Sequence, residues 1–124
     1  ISKIVQRWKK GEDEFKIVSD QIGKPTYTID LAKLIKRVVE EKLIGIYHFA
    51  NQGRISRAEL VNEIFEIVGQ SPKIIPISAK EYNAPAKRPK NSSLSTKKIE
   101  ERLKIQIPHH KIALKHYLEN FLKI

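Results

Sequence analysis

Residues 20–32 (DQIGKPTYTIDLA) oblige the chain to turn, run extended and start a helix in quick succession. Gly23 tolerates backbone angles that other residues avoid, and Pro25 pushes Lys24 out of the helical region, so a break is predicted there. Beyond it Thr28 is placed to accept a hydrogen bond from a free amide of the next helix. Asp30 falls in the first turn, where the macrodipole favours a carboxylate. From that start Leu31, Leu34, Ile35 and Val38 recur at helical spacing, while Lys33, Lys36, Arg37 and Glu40 take the solvent side. The predicted outcome is a loop anchored on both sides, with the rest of the chain arranged around it.

Upstream, Ile1, Ile4, Val5 and Trp8 predict an amphipathic helix ending before Gly11, with Trp8 in a core or interface. In the isolated chain that stripe predicts an exposed apolar patch or self-association. Residues 15–18 read as a short strand. The helix starting near Ile29 is predicted to fade around Lys42, and residues 45–50 (GIYHFA) to form a largely buried strand that Asn51-Gln52-Gly53 ends in a turn, with His48 a core or edge residue. Ser56 and Glu59 have the spacing of a capping box, with Ile55 and Leu60 as its hydrophobic staple. They open a helix with Leu60, Val61, Ile64, Phe65 and Val68 as its buried stripe and Gly69 as its stop.

Residues 73–78 are β-prone, with Pro76 marking an edge strand or an irregular one. Residues 79–95 are polar, basic and punctuated by proline, which predicts a long loop of the kind that often carries function. Ser95 is expected to cap a short helix through Leu103, with Leu94 and Ile99 at staple positions. Pro108 then precedes a last helix whose apolar face is Leu114, Tyr117, Leu118, Phe121 and Leu122.

The net charge of +10 is unevenly spread. Residues 1–70 hold 12 Lys/Arg against 10 Asp/Glu and residues 71–124 hold 12 against 4, so +8 lies in the second stretch. Such asymmetry points to an anionic partner: a nucleic acid, a membrane surface or a nucleoside diphosphate. The absence of cysteine removes disulfide and thiolate chemistry and fits a reducing cytoplasm. No apolar run approaches the roughly eighteen residues of a membrane span and no signal sequence opens the chain, so a soluble, cytoplasmic protein is expected. A chain that opens on Ile1 and contains no methionine is expected to be part of a longer one. Abundant Ile, Lys and Glu give it a thermophile-like composition.

The opening stretch, together with GIYHFANQGRISRAELVNEIF at 45–65, IIPISAKEY at 74–82 and AKRPKNSSLSTKKIE at 86–100, resembles the C-terminal part of the dTDP-4-dehydrorhamnose reductases, a family of extended short-chain dehydrogenase/reductases. The resemblance covers nearly the whole chain. It implies an α/β C-terminal substrate-binding domain over 1–124, with amphipathic helices around a few short strands and the N-terminal NADPH-binding Rossmann domain absent. In the intact enzyme it implies reduction of the 4-keto group of a dTDP-sugar by NADPH, with no cofactor bound by this chain alone; a homodimer is left open. Two alternatives stand beside it. One is a non-catalytic regulatory subunit resembling that of methionine adenosyltransferase, and the other a basic nucleic-acid-binding domain. The second is disfavoured because Tyr82 is the only aromatic residue from 66 to 116, too few for base-stacking platforms.

Catalytic machinery is missing from the sequence. A reductase of this class needs a glycine-rich turn against the cofactor pyrophosphate and a tyrosine with a lysine four residues later. The four tyrosines are followed at that spacing by Leu31, Asn51, Ala86 and Phe121, and the glycines never cluster. His109, His110 and His116 show no metal-site spacing; His109 and His110 are expected to cap or flank the last helix. The best candidate for binding is Lys87-Arg88-Pro89, because a guanidinium fork can grip a diphosphate in bidentate fashion and the proline limits the loop's freedom. The resemblance assigns the diphosphate to Arg88, with Asn91 as a neutral neighbour. It also matches Gln21, Lys24, Thr26 and Tyr27 to residues that line the sugar side of the cleft or fix the chain's return to the cofactor domain. Lys24 stands where a small residue is common.

Overall fold

The computed structural model describes residues 1–123. Helix α1 (Ser2–Lys9) leads through Gly11, at φ +94°, into strand β1 (Glu14–Val18). There follow β2 (Ile22–Gly23), α2 (Thr28–Glu40), β3 (Ile55–Ser56), α3 (Arg57–Ile67), β4 (Lys73–Ile77), α4 (Ala79–Tyr82), α5 (Lys97–Leu103) and α6 (His110–Phe121). β1 and β4 pair in parallel, Glu14 opposite Lys73 through Val18 opposite Ile77, with α3 in the connection between them. Each strand of this two-stranded sheet is an edge, so Pro76 sits within β4 although it cannot donate to a ladder. β2 and β3 form an antiparallel pair of two residues each.

Three packed groups make the core. Val5 of α1, Ile64 of α3 and Leu114 and Leu118 of α6 form one. Phe15, Val61 and Phe65 form the second, with Phe15 stacked on Phe65 and Trp8 meeting Phe65 edge-on at 5.9 Å. The third joins Leu34 of α2 to Ile99, Leu103 and Ile107. The α1 stripe is therefore mostly covered by α3 and α6, contrary to the exposed patch expected of it. Only Ile1 remains largely in water.

Several local expectations are corrected. Helix α2 begins at Thr28 itself with Tyr27 as its N-cap and no side-chain cap, so Thr28 lies one position too far in to serve as the acceptor. Its buried residue is Leu34, while Ile35, expected in the core, is 53% exposed, because α2 lies against the core along a narrow line. Residues 45–50 do not form a strand. They keep the alternation of one, with Tyr47 and Phe49 packed on the third core group and Ile46 and His48 turned to solvent, but among the described residues no strand edge lies alongside to pair with them. His48 is thus exposed rather than in the core.

Thr96, not Ser95, precedes α5, and its hydroxyl donates to Glu100 instead of capping; Leu94 is exposed rather than stapled. Within the predicted loop 79–95, Ser78 and Glu81 form a second capping box that opens α4. The Ser56–Glu59 box and the left-handed Gly69 stop are as predicted, and His109 caps α6 by accepting from the Lys111 amide.

Candidate functional site

Strand β2 is the floor on which the site is built. Along one side it pairs with β3, Ile22 opposite Ser56 and Gly23 opposite Ile55. Along the other it holds the basic loop: the Ile22 amide donates to the Lys90 carbonyl at 2.8 Å, and the Ser92 amide donates to the Ile22 carbonyl at 2.9 Å. The backbone of Gly23 is not left-handed; what the position requires is the absence of a side chain, since a Cβ there would meet Ser92 Oγ at 3.1 Å. Three segments far apart in sequence, 21–25, 55–60 and 88–92, thereby enclose an open cleft of about 280 Å³. Lys24, Arg57 and Arg88 line it, and among the described residues no carboxylate does. Helix α3 starts at its wall, which adds the positive end of a macrodipole.

Of the residues singled out from sequence, Gln21, Lys24 and Arg88 come together here. Thr26 and Tyr27 line an adjoining, more apolar pocket of about 210 Å³ with Leu60, Leu114 and Tyr117, which shares Pro25 and Leu60 with the cleft. Tyr27 is 9% exposed, and its hydroxyl lies 2.8 Å from His116 Nδ1. Burial raises the phenol's pKa above its ordinary value, with smaller contributions from Asp30 and Tyr117, so it stays neutral and tied to α6. Asn91 does not line the cleft; its side chain accepts from the Ser93 amide at 2.9 Å and shapes the loop.

Two residues read from sequence only as a turn hold the site's frame. The Asn51 side chain accepts from the Tyr27 amide at 2.8 Å and donates to Asp30 Oδ2 at 2.7 Å and to the Pro108 carbonyl at 3.3 Å. Gln52 accepts from Lys24 Nζ at 3.3 Å and donates to Thr96 Oγ1 at 3.0 Å and to Glu100 Oε2 at 2.9 Å. Gly53 follows at φ +93°, where a Cβ would run into the His109 and His110 rings. His110 is buried and fastens α6 to α3, its ring lying 3.0 Å from the Gln52 carbonyl and 2.9 Å from Glu63 Oε2. Among the described residues no three His, Cys, Asp or Glu gather as a metal site.

Glu100 anchors the far end of the Lys24–Gln52 chain. Burial alone would raise its pKa, but hydrogen bonds from the Thr96 hydroxyl, the Ile107 amide and the Gln52 amide outweigh it and hold the carboxyl below its ordinary value of 4.5. A group depressed on folding stabilises the fold above its unfolded pKa and loses that contribution as pH falls through the folded value. Acid unfolding should therefore set in below about pH 4.5. Glu100→Gln should lower stability at neutral pH by about 1–2 kcal/mol and make the acid limb shallower. Denaturant midpoints measured from pH 3 to 7 check this. An acid limb as steep in the variant as in the wild type would remove Glu100 from the account; a residual limb is expected, because Ser56 and Ser78 also hold Glu59 and Glu81 below their ordinary values.

Arg57 and the Asn51-Gln52 pair escaped the sequence reading. The one signal for Arg57 was its position directly after the capping serine, which turns a side chain out at a helix start. The cleft can fix a multiply charged anion, but it presents no tyrosine–lysine pair to move a proton.

Residues 1–123 match the model of the RmlD substrate binding domain, and the chain belongs to that family. It is 39% identical over 108 residues to the spore coat polysaccharide biosynthesis protein SpsK of Bacillus subtilis (strain 168), covering 87% of this chain and 38% of that protein. Its fold is similar to the crystal structure of a dTDP-4-dehydrorhamnose reductase from Clostridium acetobutylicum ATCC 824, with a TM-score of 0.90 and 35% identity over 98% of this chain and 43% of that one. It is also similar to the dTDP-4-dehydrorhamnose reductase of Bacillus anthracis str. Ames in complex with NADP, with a TM-score of 0.88 and 31% identity over 98% of this chain and 42% of that one. The chain thus spans well under half the length of each of these relatives. Their match makes the architecture that of the substrate-binding domain of extended short-chain dehydrogenase/reductases. Among the described residues no helix is long and apolar enough to cross a membrane.

Proposed function

We propose that this chain is the nucleotide-sugar-binding part of a dTDP-4-dehydrorhamnose reductase, in which an N-terminal Rossmann domain carries NADPH. The observation that supports this most is the gathering of Gln21, Lys24 and Arg88 in one cleft that no carboxylate lines, in a domain of this family. A dTDP-sugar lays its diphosphate in the cleft, Arg88 grips it through its planar fork, and Lys24, held by Gln52, adds a second charge. NADPH bound by that domain would supply the hydride for C4 of the keto sugar, dTDP-6-deoxy-L-lyxo-4-hexulose, whose reduction with uptake of a proton at the C4 oxygen gives dTDP-L-rhamnose. Neither group comes from this chain, which binds and orients.

Exposed apolar residues agree with a covering partner: Ile44 is 93% and Ile46 76% exposed. The same reading puts the enzyme in the cytoplasm, with a dTDP-sugar and a Rossmann domain as partners rather than nucleic acid or a membrane, and leaves a homodimer to be tested by sedimentation. The experiment is to follow loss of nicotinamide absorbance when the intact protein meets NADPH and the keto sugar. Turnover by the intact protein, with none from residues 1–124 alone, is expected. An intact protein that leaves NADPH unoxidised would overturn the proposal.

A further inference from the structure

The cleft holds a guanidinium that the reading above leaves idle. Arg57 is the first residue of α3 and lines the cleft together with Arg88. The two arise on opposite sides of β2, Arg57 following β3 and Arg88 preceding the 90–92 segment that β2 binds. We propose that Arg57 is the second arm of a diphosphate clamp, taking one phosphate group while Arg88 takes the other. The proposal rests on the reading of the cleft as a diphosphate site, and it adds a selectivity for diphosphate over monophosphate.

Three observations carry it. The first is charge: with Lys24, the lining provides three cations and no anion, more than one phosphate group needs. The second is availability. Arg7 and Arg37 are engaged by Glu12 and Glu41; among the described residues Arg54, Arg57, Arg88 and Arg102 form no ion pair, and of these four Arg57 and Arg88 line the cleft, where Lys24 already donates to Gln52. The third is rigidity. The backbone at Arg57 is fixed by the capping box, in which the Ser56 amide donates to Glu59 Oε2 at 2.8 Å and the Glu59 amide to Ser56 Oγ at 3.2 Å, and by the pairing of β3. Arg88 lies in a stretch, 81–90, that is exposed throughout. With its backbone already fixed, Arg57 has only side-chain freedom to lose when it binds, whereas Arg88 must also order its loop, so Arg57 suits the first contact and the loop brings Arg88 in afterwards.

The test is calorimetric titration of dTDP and of dTMP into the intact wild-type protein and its Arg57→Gln, Arg57→Lys and Arg88→Ala variants, with thermal unfolding of each. Arg57→Gln should weaken dTDP binding about tenfold or more and dTMP binding less than about threefold, so that the preference between the two collapses. Arg57→Lys should restore part of the preference, and the unfolding midpoint should not move, since Arg57 is exposed. Should Arg57→Gln fail to fold, Arg57→Lys decides by the same ratio. A variant that keeps the wild-type ratio, or weakens both ligands equally, while Arg88→Ala still weakens dTDP, overturns the clamp and leaves the diphosphate site standing. A wild type that binds no dTDP, or binds it with the same affinity in every variant, overturns both.

Discussion

Arg88→Ala in the intact protein should weaken dTDP binding by about ten- to a hundredfold, the loss of a charge-assisted bidentate contact worth roughly 1.5–3 kcal/mol at about tenfold per 1.4 kcal/mol. The side chain lines the cleft, and the loop that carries it is tethered to Ile22 by the backbone of Lys90 and Ser92 a few residues on. Arg88→Lys should recover only part of the loss, since an ammonium keeps the charge but not the planar pair of donors. NADPH affinity should stay unchanged, because no glycine-rich turn for a cofactor pyrophosphate lies in this chain. A solvated surface arginine would instead change affinity by a few tenths of a kcal/mol, largely erased by salt. Titration at two salt concentrations separates the two, and equal affinities in wild type, Ala and Lys variants would eliminate Arg88 as the anchor.

Asn51→Ala should destabilise the fold by about 3–5 kcal/mol, from three lost hydrogen bonds and a stranded donor. Asn51 is 0% exposed and joins the Tyr27 amide, Asp30 and the Pro108 carbonyl, so one side chain ties the 23–27 loop, the start of α2 and the approach to α6. Truncation leaves the Tyr27 amide without its acceptor beside a buried ring. Against a total stability of about 5–15 kcal/mol for a domain, that is a large fraction. Asn51→Asp, nearly isosteric, should also fail to rescue, because it keeps the acceptor for Tyr27 but sets a second carboxylate against Asp30. The denaturant midpoint should fall with an unchanged slope. A change below about 1 kcal/mol would show that neighbouring groups take over the bonds, and Asn51 would lose its place as the hub.

Sequence and structure agree where the governing interaction spans a few residues. The Ser56–Glu59 capping box, the Gly69 stop, the strands at 14–18 and 73–77, the apolar face of α3 and the Leu114–Leu118 part of the α6 face follow from side-chain spacing and from hydrogen bonds between near neighbours, whereas Phe121 at the end of α6 is 56% exposed. They disagree where a distant partner decides. Residues 45–50 have the alternation of a strand, yet a strand exists only against another edge. Ile35 has the spacing of a core residue, yet what α2 buries depends on what lies against it. Thr28 has the spacing of a capping residue, yet α2 begins at Thr28 itself and Tyr27 takes the N-cap position.

The sequence by itself determined the character of this protein: an α/β lobe of amphipathic helices and short strands, without the tyrosine–lysine pair or the glycine-rich turn of a catalytic half, and with its excess positive charge gathered toward the C-terminal side. Only the tertiary structure decided that Gln21, Lys24, Arg57 and Arg88 share one cleft, and that Asn51 and Gln52 hold its frame. The physical reason is that the cleft is made by β2 binding β3 on one side and the 90–92 segment on the other, contacts such as that of Ser92 with Ile22 across 70 residues of chain. Pairings of two or three residues carry no local signal of register. Their geometry is set by the three core groups that fix the helices on which those segments hang.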